Sequence, residues 1–278
     1  MKKIKALIIT GYGINCEKEM AMACKVAGAE PTIMHANEFL SDAEILKKYQ
    51  FLAFPGGFSF GDELGAGKAF ANRLSYSRNS GRINLKEQLQ QFVNEGKCII
   101  GICNGFQLLV KLGMIPSHNS IEMTQSVSLA INDSRKFEAR WAYHIVNDTP
   151  CVFTRGIKKL YLPIRHAEGK LVGRCDETID RLFENNQVVL QYSDVNGSPT
   201  MSYPENPNGS IRSIAGICDN TGRVFGMMAH PEAALYFTNH PHWQRVREEA
   251  RRKNQQVPNE GEGYQLFRNA ISYLEEHL

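Results

Sequence analysis

Apolar positions along the chain recur in two rhythms that take turns. Residues 98–102 (Cys-Ile-Ile-Gly-Ile) form a short run rich in β-branched side chains, as a strand buried on both faces requires. Phe106, Leu109, Val110 and Gly113 follow at i, i+3, i+4 and i+7, so the chain passes from strand to helix at Cys103. The same alternation runs through everything before it. Residues 5–9 read as a buried first strand, and Asn15 can cap a helix whose apolar positions Met20, Ala23, Cys24 and Ala27 precede a closing Gly28. Residues 32–35 give a second strand, Ser41-x-x-Glu44 a capping box opening a helix with Ile45, Leu46 and Tyr49, and residues 51–54 a third strand. Asn84-x-x-Glu87 opens a further helix with Leu85, Leu89, Phe92 and Val93, closed by Gly96. Such alternation predicts an α/β fold with a mostly parallel central sheet and helices on both faces.

From residue 121 to about residue 193 the rhythm changes. Short β-rich pieces at 126–131, 141–146, 161–164 and 188–192 are separated by polar turns, which fits a small antiparallel excursion at the edge of the main sheet. Residues 214–218 and 223–228 then read as a hairpin joined through Asn220-Thr-Gly222, and its second strand delivers Ala229-His230-Pro231-Glu232. A charged, exposed stretch at 245–253 and a Gly261-Glu-Gly263 turn lead to a final amphipathic helix with Tyr264, Phe267, Ile271 and Leu274 on one face. With neither a repeat nor a linker, residues 1–278 are expected to form one domain.

Composition narrows the function classes. A chain of 278 residues, 42% hydrophobic and 22% charged, is ordinary for a globular protein with a full core. A net charge of +3 and the absence of a basic, aromatic-studded motif argue against nucleic acid. The short apolar run after Met1-Lys2-Lys3 lacks the length of a signal peptide or membrane span, so a cytoplasmic protein is expected, with no membrane association. Seven scattered cysteines without a C-x-x-C pair suggest neither a disulfide framework nor a metal site.

The candidate chemistry centres on Cys103. Gly101-x-Cys103-x-Gly105 brackets the strand-to-helix turn with residues lacking a Cβ, as a nucleophile elbow needs, and the helix dipole favours negative charge there. A buried structural cysteine is the plainer alternative. A nucleophile needs a base and the base an orienter, and His230 with Glu232 supplies both, Pro231 holding His230 extended and keeping the pair out of a regular helix turn. Other features carry less. Gly11-Tyr12-Gly13-Ile14-Asn15-Cys16 is half a dinucleotide fingerprint, without the third glycine or the later acidic residue, and reads as a tight turn. No Walker loop occurs. His240-Pro-His242 reads as surface.

Gly-x-Cys-x-Gly-x-Gln combined with His-Pro-Glu resembles the class I, or triad, glutamine amidotransferases, and the resemblance covers nearly the whole chain. It implies a flavodoxin-like sheet and a triad of Cys103, His230 and Glu232 that strips ammonia from glutamine. It narrows at Pro55-Gly-Gly-Phe-Ser-Phe-Gly-Asp62, Ser134-Arg-Lys-Phe-Glu-Ala-Arg-Trp141, Leu162-Pro-Ile-Arg-His-Ala-Glu-Gly169, Asn208-Gly-Ser210 with Ile214-Ala-Gly-Ile217, and Leu266-Phe-Arg-Asn-Ala270. These segments look like the glutaminase-subunit family of phosphoribosylformylglycinamidine synthase in purine biosynthesis. Phe60, Ala167 and Ala233 depart from the residues common at those places, which bears on fine specificity and leaves the triad intact.

On this resemblance the backbone N–H groups of Gly57 and Asn104 form the oxyanion hole and Gln107, one turn along the elbow helix, helps hold substrate. Asp62 and Glu63 are candidates for the substrate amine, and Arg165, His166 and Glu168 either line an ammonia exit or, as the safer expectation, dock a partner. No cofactor is expected in this chain; ATP and Mg belong to the partner, a large synthase subunit, with room for a further small subunit. Two other readings stay open: a stand-alone cysteine amidase or peptidase on the same fold, and a binding module that has lost its activity. The intact Cys103, His230 and Glu232 weigh against the second, and the glutaminase-subunit segments against the first.

Overall fold

The computed structural model describes residues 3–42, 44–76, 85–117 and 123–278. Its first half alternates as the apolar rhythm requires: β1 (Lys5–Thr10), α1 (Glu17–Val26), β2 (Glu30–His35), α2 (Ala36–Ser41), β3 (Phe51–Phe54), α3 (Lys68–Tyr76), α4 (Leu85–Asn94), β4 (Cys98–Ile102) and α5 (Asn104–Leu112). Its second half is strand-rich: β5 (Val127–Ile131), β6 (Glu138–Val146), β7 (Lys159–His166), β8 (Glu168–Gly173), α6 (Asp176–Glu184), β9 (Val188–Ser193), β10 (Ile214–Cys218) and β11 (Val224–Met227), followed by α7 (Trp243–Arg252) and α8 (Tyr264–His277).

A nine-stranded sheet of order β2-β1-β3-β4-β11-β10-β9-β6-β7 carries the fold, and β5 pairs with β8 in a separate two-stranded sheet. From β2 to β11 every pairing is parallel, in the 2-1-3-4-5 order of flavodoxin-like sheets. From β11 onward every pairing is antiparallel. β3 and β4 are buried at every residue, as parallel strands covered on both faces must be. α1 packs with α8, whereas α3 packs with α4 and α5, so the helices form two groups about the sheet. The antiparallel part is more than an edge excursion: it extends the main sheet by β10, β9, β6 and β7, and curls until Ile164 on edge strand β7 bridges back to Ala229 just beyond β11.

Local signals fared unevenly. Ser41-x-x-Glu44 opens no helix: Ser41 ends α2, its hydroxyl donating to the Glu38 carbonyl at 2.8 Å, and Ile45–Lys48 is a single 3-10 turn. α2 is opened by His35, whose Nδ1 accepts from Asn37 N at 3.1 Å, and Phe39 and Leu40 bury it. Nor does Asn15 cap α1; the residue before that helix is Cys16, which makes no side-chain cap. Asn84 of the other capping box and residue 121, where the middle region was placed, lie outside the described residues. α7 has no buried residue, in keeping with an exposed charged stretch.

Candidate active site

β4 ends at the centre of the sheet and α5 begins one residue later, so the chain must reverse direction at Cys103 alone. Cys103 takes φ 52° and ψ −107°, a sparsely populated conformation for a residue with a side chain, worth roughly 1–3 kcal/mol of strain. The flanking glycines serve a different purpose. A Cβ on Gly105 would sit 1.8 Å from the Phe54 carbonyl oxygen, and one on Gly101 2.5 Å from the Gly105 carbonyl oxygen. They let α5 start hard against β3, which fixes the elbow from below.

His230 arrives from the neighbouring strand. β11 lies parallel to β4, and beyond it the His230 amide donates to the Pro163 carbonyl of β7 at 2.8 Å. His230 Nδ1 and Glu232 Oε1 are 2.6 Å apart, with His230 3% and Glu232 4% exposed. His230 itself stays outside helical geometry, but Glu232 falls within a single 3-10 turn, Pro231–Ala233, so proline confines the turn and does not prevent it. Burial works against an imidazolium here; the Glu232 carboxylate, and then the Cys103 and Cys16 thiols beside the ring, outweigh it and hold His230 well above its ordinary value. Its Nε2 is buried with no hydrogen-bond partner among the described residues.

Above Cys103 opens a cavity of about 290 Å³ bordered by Gly57, Asp62, Gln107, Arg165 and Glu168. Gly57, at φ +148°, presses on the first glycine loop, where a Cβ would meet the Gly13 carbonyl at 2.6 Å. The two loops are tied together: Phe58 N donates to Gly13 O at 2.8 Å, and Asn15 N and Cys16 N both donate to Gly56 O. Asn104 joins the Gly57 loop to the elbow helix, its Oδ1 accepting from Ser59 N and its Nδ2 donating to Asp62 Oδ1 at 3.1 Å and Gln107 Oε1 at 2.9 Å. Gln107 is buried, and its Nε2 donates to the Glu168 carbonyl at 2.6 Å. Of the two acidic candidates, Asp62 borders the cavity, with its carboxyl raised by burial, while Glu63 is exposed and does not.

Arg165, His166 and Glu168, expected either along an ammonia exit or at a docking surface, form the cavity wall opposite the elbow, and the Cys103 thiol donates to the Arg165 carbonyl at 3.6 Å. Behind them lies a buried polar network that sequence reasoning missed. Asn132 Nδ2 donates to the His166 carbonyl at 2.8 Å, and Asn208 Nδ2 donates to Tyr192 Oη at 3.0 Å and Gly169 O at 2.9 Å. The Asn208-Gly-Ser210 and Leu162 to Gly169 segments were its visible traces. Cys16 was missed as well; its only signal was a thiol in a glycine loop at the end of the first strand. His240 lies apart, its ring against Trp141 and Tyr161.

The strained turn at Cys103 and the polar cavity above it lie beside the buried His230–Glu232 pair. Residues 3–274 match the CobB/CobQ-like glutamine amidotransferase domain. Subunit PurQ of phosphoribosylformylglycinamidine synthase from Methanococcus maripaludis is 43% identical over 97% of each chain, and that from Dehalococcoides mccartyi is 41% identical over 99% of this chain and 100% of the other. The PurLQS structure from Thermotoga maritima contains a chain that superposes with a TM-score of 0.68 at 27% identity, covering 98% of this chain and 100% of that one. A glutamine amidotransferase from the same organism, 13% identical with a TM-score of 0.51, shares the fold. The chain belongs to the glutamine amidotransferase family, in its phosphoribosylformylglycinamidine synthase subunit PurQ branch.

Proposed function

We propose that Cys103, His230 and Glu232 hydrolyse glutamine, and that the chain, working as one domain over residues 1–278, supplies the ammonia to a large synthase subunit. The 2.6 Å contact between His230 Nδ1 and Glu232 Oε1, which leaves Nε2 free on the side of Cys103, carries this reading. The Cys103 thiolate attacks the side-chain carbonyl carbon of glutamine, and the carbonyl electrons move to oxygen. Backbone N–H groups of Gly57 and Asn104 receive that oxyanion. Protonated His230 gives its proton to the departing nitrogen; ammonia leaves and a thioester remains. His230 then takes a proton from water, whose oxygen displaces the thiolate and releases glutamate. Glu232 holds the ring tautomer through Nδ1. Asp62 takes the substrate amine, and Gln107 shapes the pocket floor through Asn104 and Glu168.

The partner is the ATP- and Mg-dependent large subunit, with a further small subunit in the assembly; this chain holds no cofactor of its own. No helix among the described residues is long and apolar enough to cross a membrane, and the reading is of a cytoplasmic enzyme. Ammonia set free in water would be mostly protonated and lost as a nucleophile, so glutaminase activity should depend on the partner.

Cys103→Ala tests the site: glutamine-dependent synthesis by the reconstituted complex disappears while ammonia-dependent synthesis persists. Retained glutaminase activity would move the nucleophile elsewhere. Glutamate release by the isolated chain should rise at least about a hundredfold when synthase, nucleotide and acceptor are added, the worth of one oxyanion donor. Equal turnover in both states would favour the stand-alone amidase.

A further inference from the structure

Cys16 stands closer to the catalytic base than its place in the sequence suggests. Its Sγ, a ring nitrogen of His230 and a carboxylate oxygen of Glu232 all lie within 4.8 Å of one another. A Cβ placed on Gly56 would be 2.8 Å from His230 Cε1, 3.3 Å from Cys16 Sγ and 3.4 Å from Cys103 Cβ, so the Cys16 thiol, the β-carbon of Cys103 and the imidazole converge on one glycine. His230 Nε2 is buried and unpartnered among the described residues, and so is Glu232 Oε2. Cys16 is half-buried at the end of a loop, and its thiol donates to the neighbouring Asn15 Oδ1 at 3.3 Å.

We infer that Cys16, Cys103 and His230 form a binding site for a thiophilic divalent cation of the zinc class, and that its occupancy shuts the glutaminase off. Two thiolates and an imidazole are the ligand types such an ion selects over the oxygen-preferring cations. Bond lengths of about 2.3 Å to sulfur and 2.0–2.1 Å to nitrogen place tetrahedral ligands roughly 3.3–3.8 Å apart. Reaching that spacing takes a side-chain rotation of Cys16 and one of Cys103, whose thiol otherwise donates to the Arg165 carbonyl. Glu232 takes the part a carboxylate commonly plays behind a metal-bound histidine: it accepts the Nδ1 hydrogen bond and leaves Nε2 as the donor atom. The fourth position opens on the cavity, where water completes the shell.

Binding displaces the thiol protons to solvent, and no oxidant is involved, so a chelator reverses it. The cysteines are scattered along the chain, and folding brings Cys16 and Cys103 together beside Gly56. The inhibitory consequence rests on the triad reading, whereas the binding itself does not.

Equilibrium dialysis of the purified chain against zinc, without glutamine, should give one tight equivalent, and cobalt in its place should show a thiolate-to-metal charge-transfer band. Cys16→Ser should weaken zinc binding at least about tenfold and diminish that band. Cys175→Ser, which changes an exposed thiol, should leave both as they are. In the reconstituted complex, zinc should inhibit glutamine-dependent synthesis reversibly, and Cys16→Ser should need at least about tenfold more zinc for half-inhibition. Unchanged zinc affinity in Cys16→Ser, or a tight site that survives in the Cys16→Ser/Cys103→Ala double variant, would overturn the assignment. A chain that binds zinc as described but hydrolyses no glutamine would instead count against the triad.

Discussion

The two sides of the cavity above Cys103 are built by opposite means. The elbow side belongs to the parallel half of the sheet and is fixed by backbone in contact with backbone: Gly105 against Phe54, with every residue of β4 buried. The facing wall belongs to the antiparallel half and is fixed by side-chain hydrogen bonds through Asn132, Asn208, Tyr192 and Ser210. Close packing tolerates almost no added volume, whereas a polar network tolerates no missing partner. The nucleophile side should therefore fail by crowding, and the wall by deletion or by protonation.

The largest effects fall where the two sides meet, at the pair delivered by β11. His230→Ala should cost the complex about four orders of magnitude in glutamine-dependent kcat, and Glu232→Gln about ten times less, because a base remains when only its orienter is weakened. Equal and small losses in steady-state assays would remove the pair from the mechanism.

On the elbow side, Gly105→Ala should lower unfolding stability by about 3 kcal/mol, since a methyl group 1.8 Å from a carbonyl oxygen must push α5 off β3. A denaturation midpoint within error of the parent would mean that the elbow is not held by packing. On the wall, Asn132→Ala removes the donor to the His166 carbonyl and the partner of its ring, and should cost about 1–3 kcal/mol. Asn132→Asp should do no better, because it lacks the donor.

The mildest test is acid. Burial pushes His166 down to about 3, the nearby His230 acting in the same direction, and burial pushes His144 on β6 down to about 4. Both are neutral in the fold and would titrate near 6.5 when unfolded, so below that pH the unfolded chain binds more protons and stability falls. Each histidine should contribute a slope of about 1.4 kcal/mol per pH unit. His144→Gln should flatten the pH dependence of the unfolding free energy by that amount, and hydrogen exchange should show the antiparallel half opening first. An unaltered slope would place the acid sensitivity elsewhere.

How much of this was legible in the sequence follows the same division. β1, β3, β4 and the helices α1, α4 and α5 announce themselves because a buried parallel strand is a continuous apolar run and the elbow is a contiguous motif, whereas α2 and α3 did not. The turn at Cys103 and the pairing of His230 with Glu232 were readable from residue types and spacing. The hydrogen bonding behind the wall was not, because Asn132 and Asn208 lie far along the chain from the His166 and Gly169 carbonyls they bond, and nothing local records those pairings. Cys16 was hidden for a related reason: its partner loop lies forty residues downstream, joined through Gly56 O. The Ser41 capping box misled because Phe39 and Leu40 gained more from burial as a short helix than Ser41 did from starting a new one.

The backbone at Cys103 also sets stability against function. At φ 52° and ψ −107° any side chain is unwelcome, and only a glycine would rest there without strain. The inactive Cys103→Gly protein should thus melt slightly higher than its parent, provided the strain relieved exceeds the chain entropy that glycine adds to the unfolded state. Selection for thermal robustness alone would erode this position first.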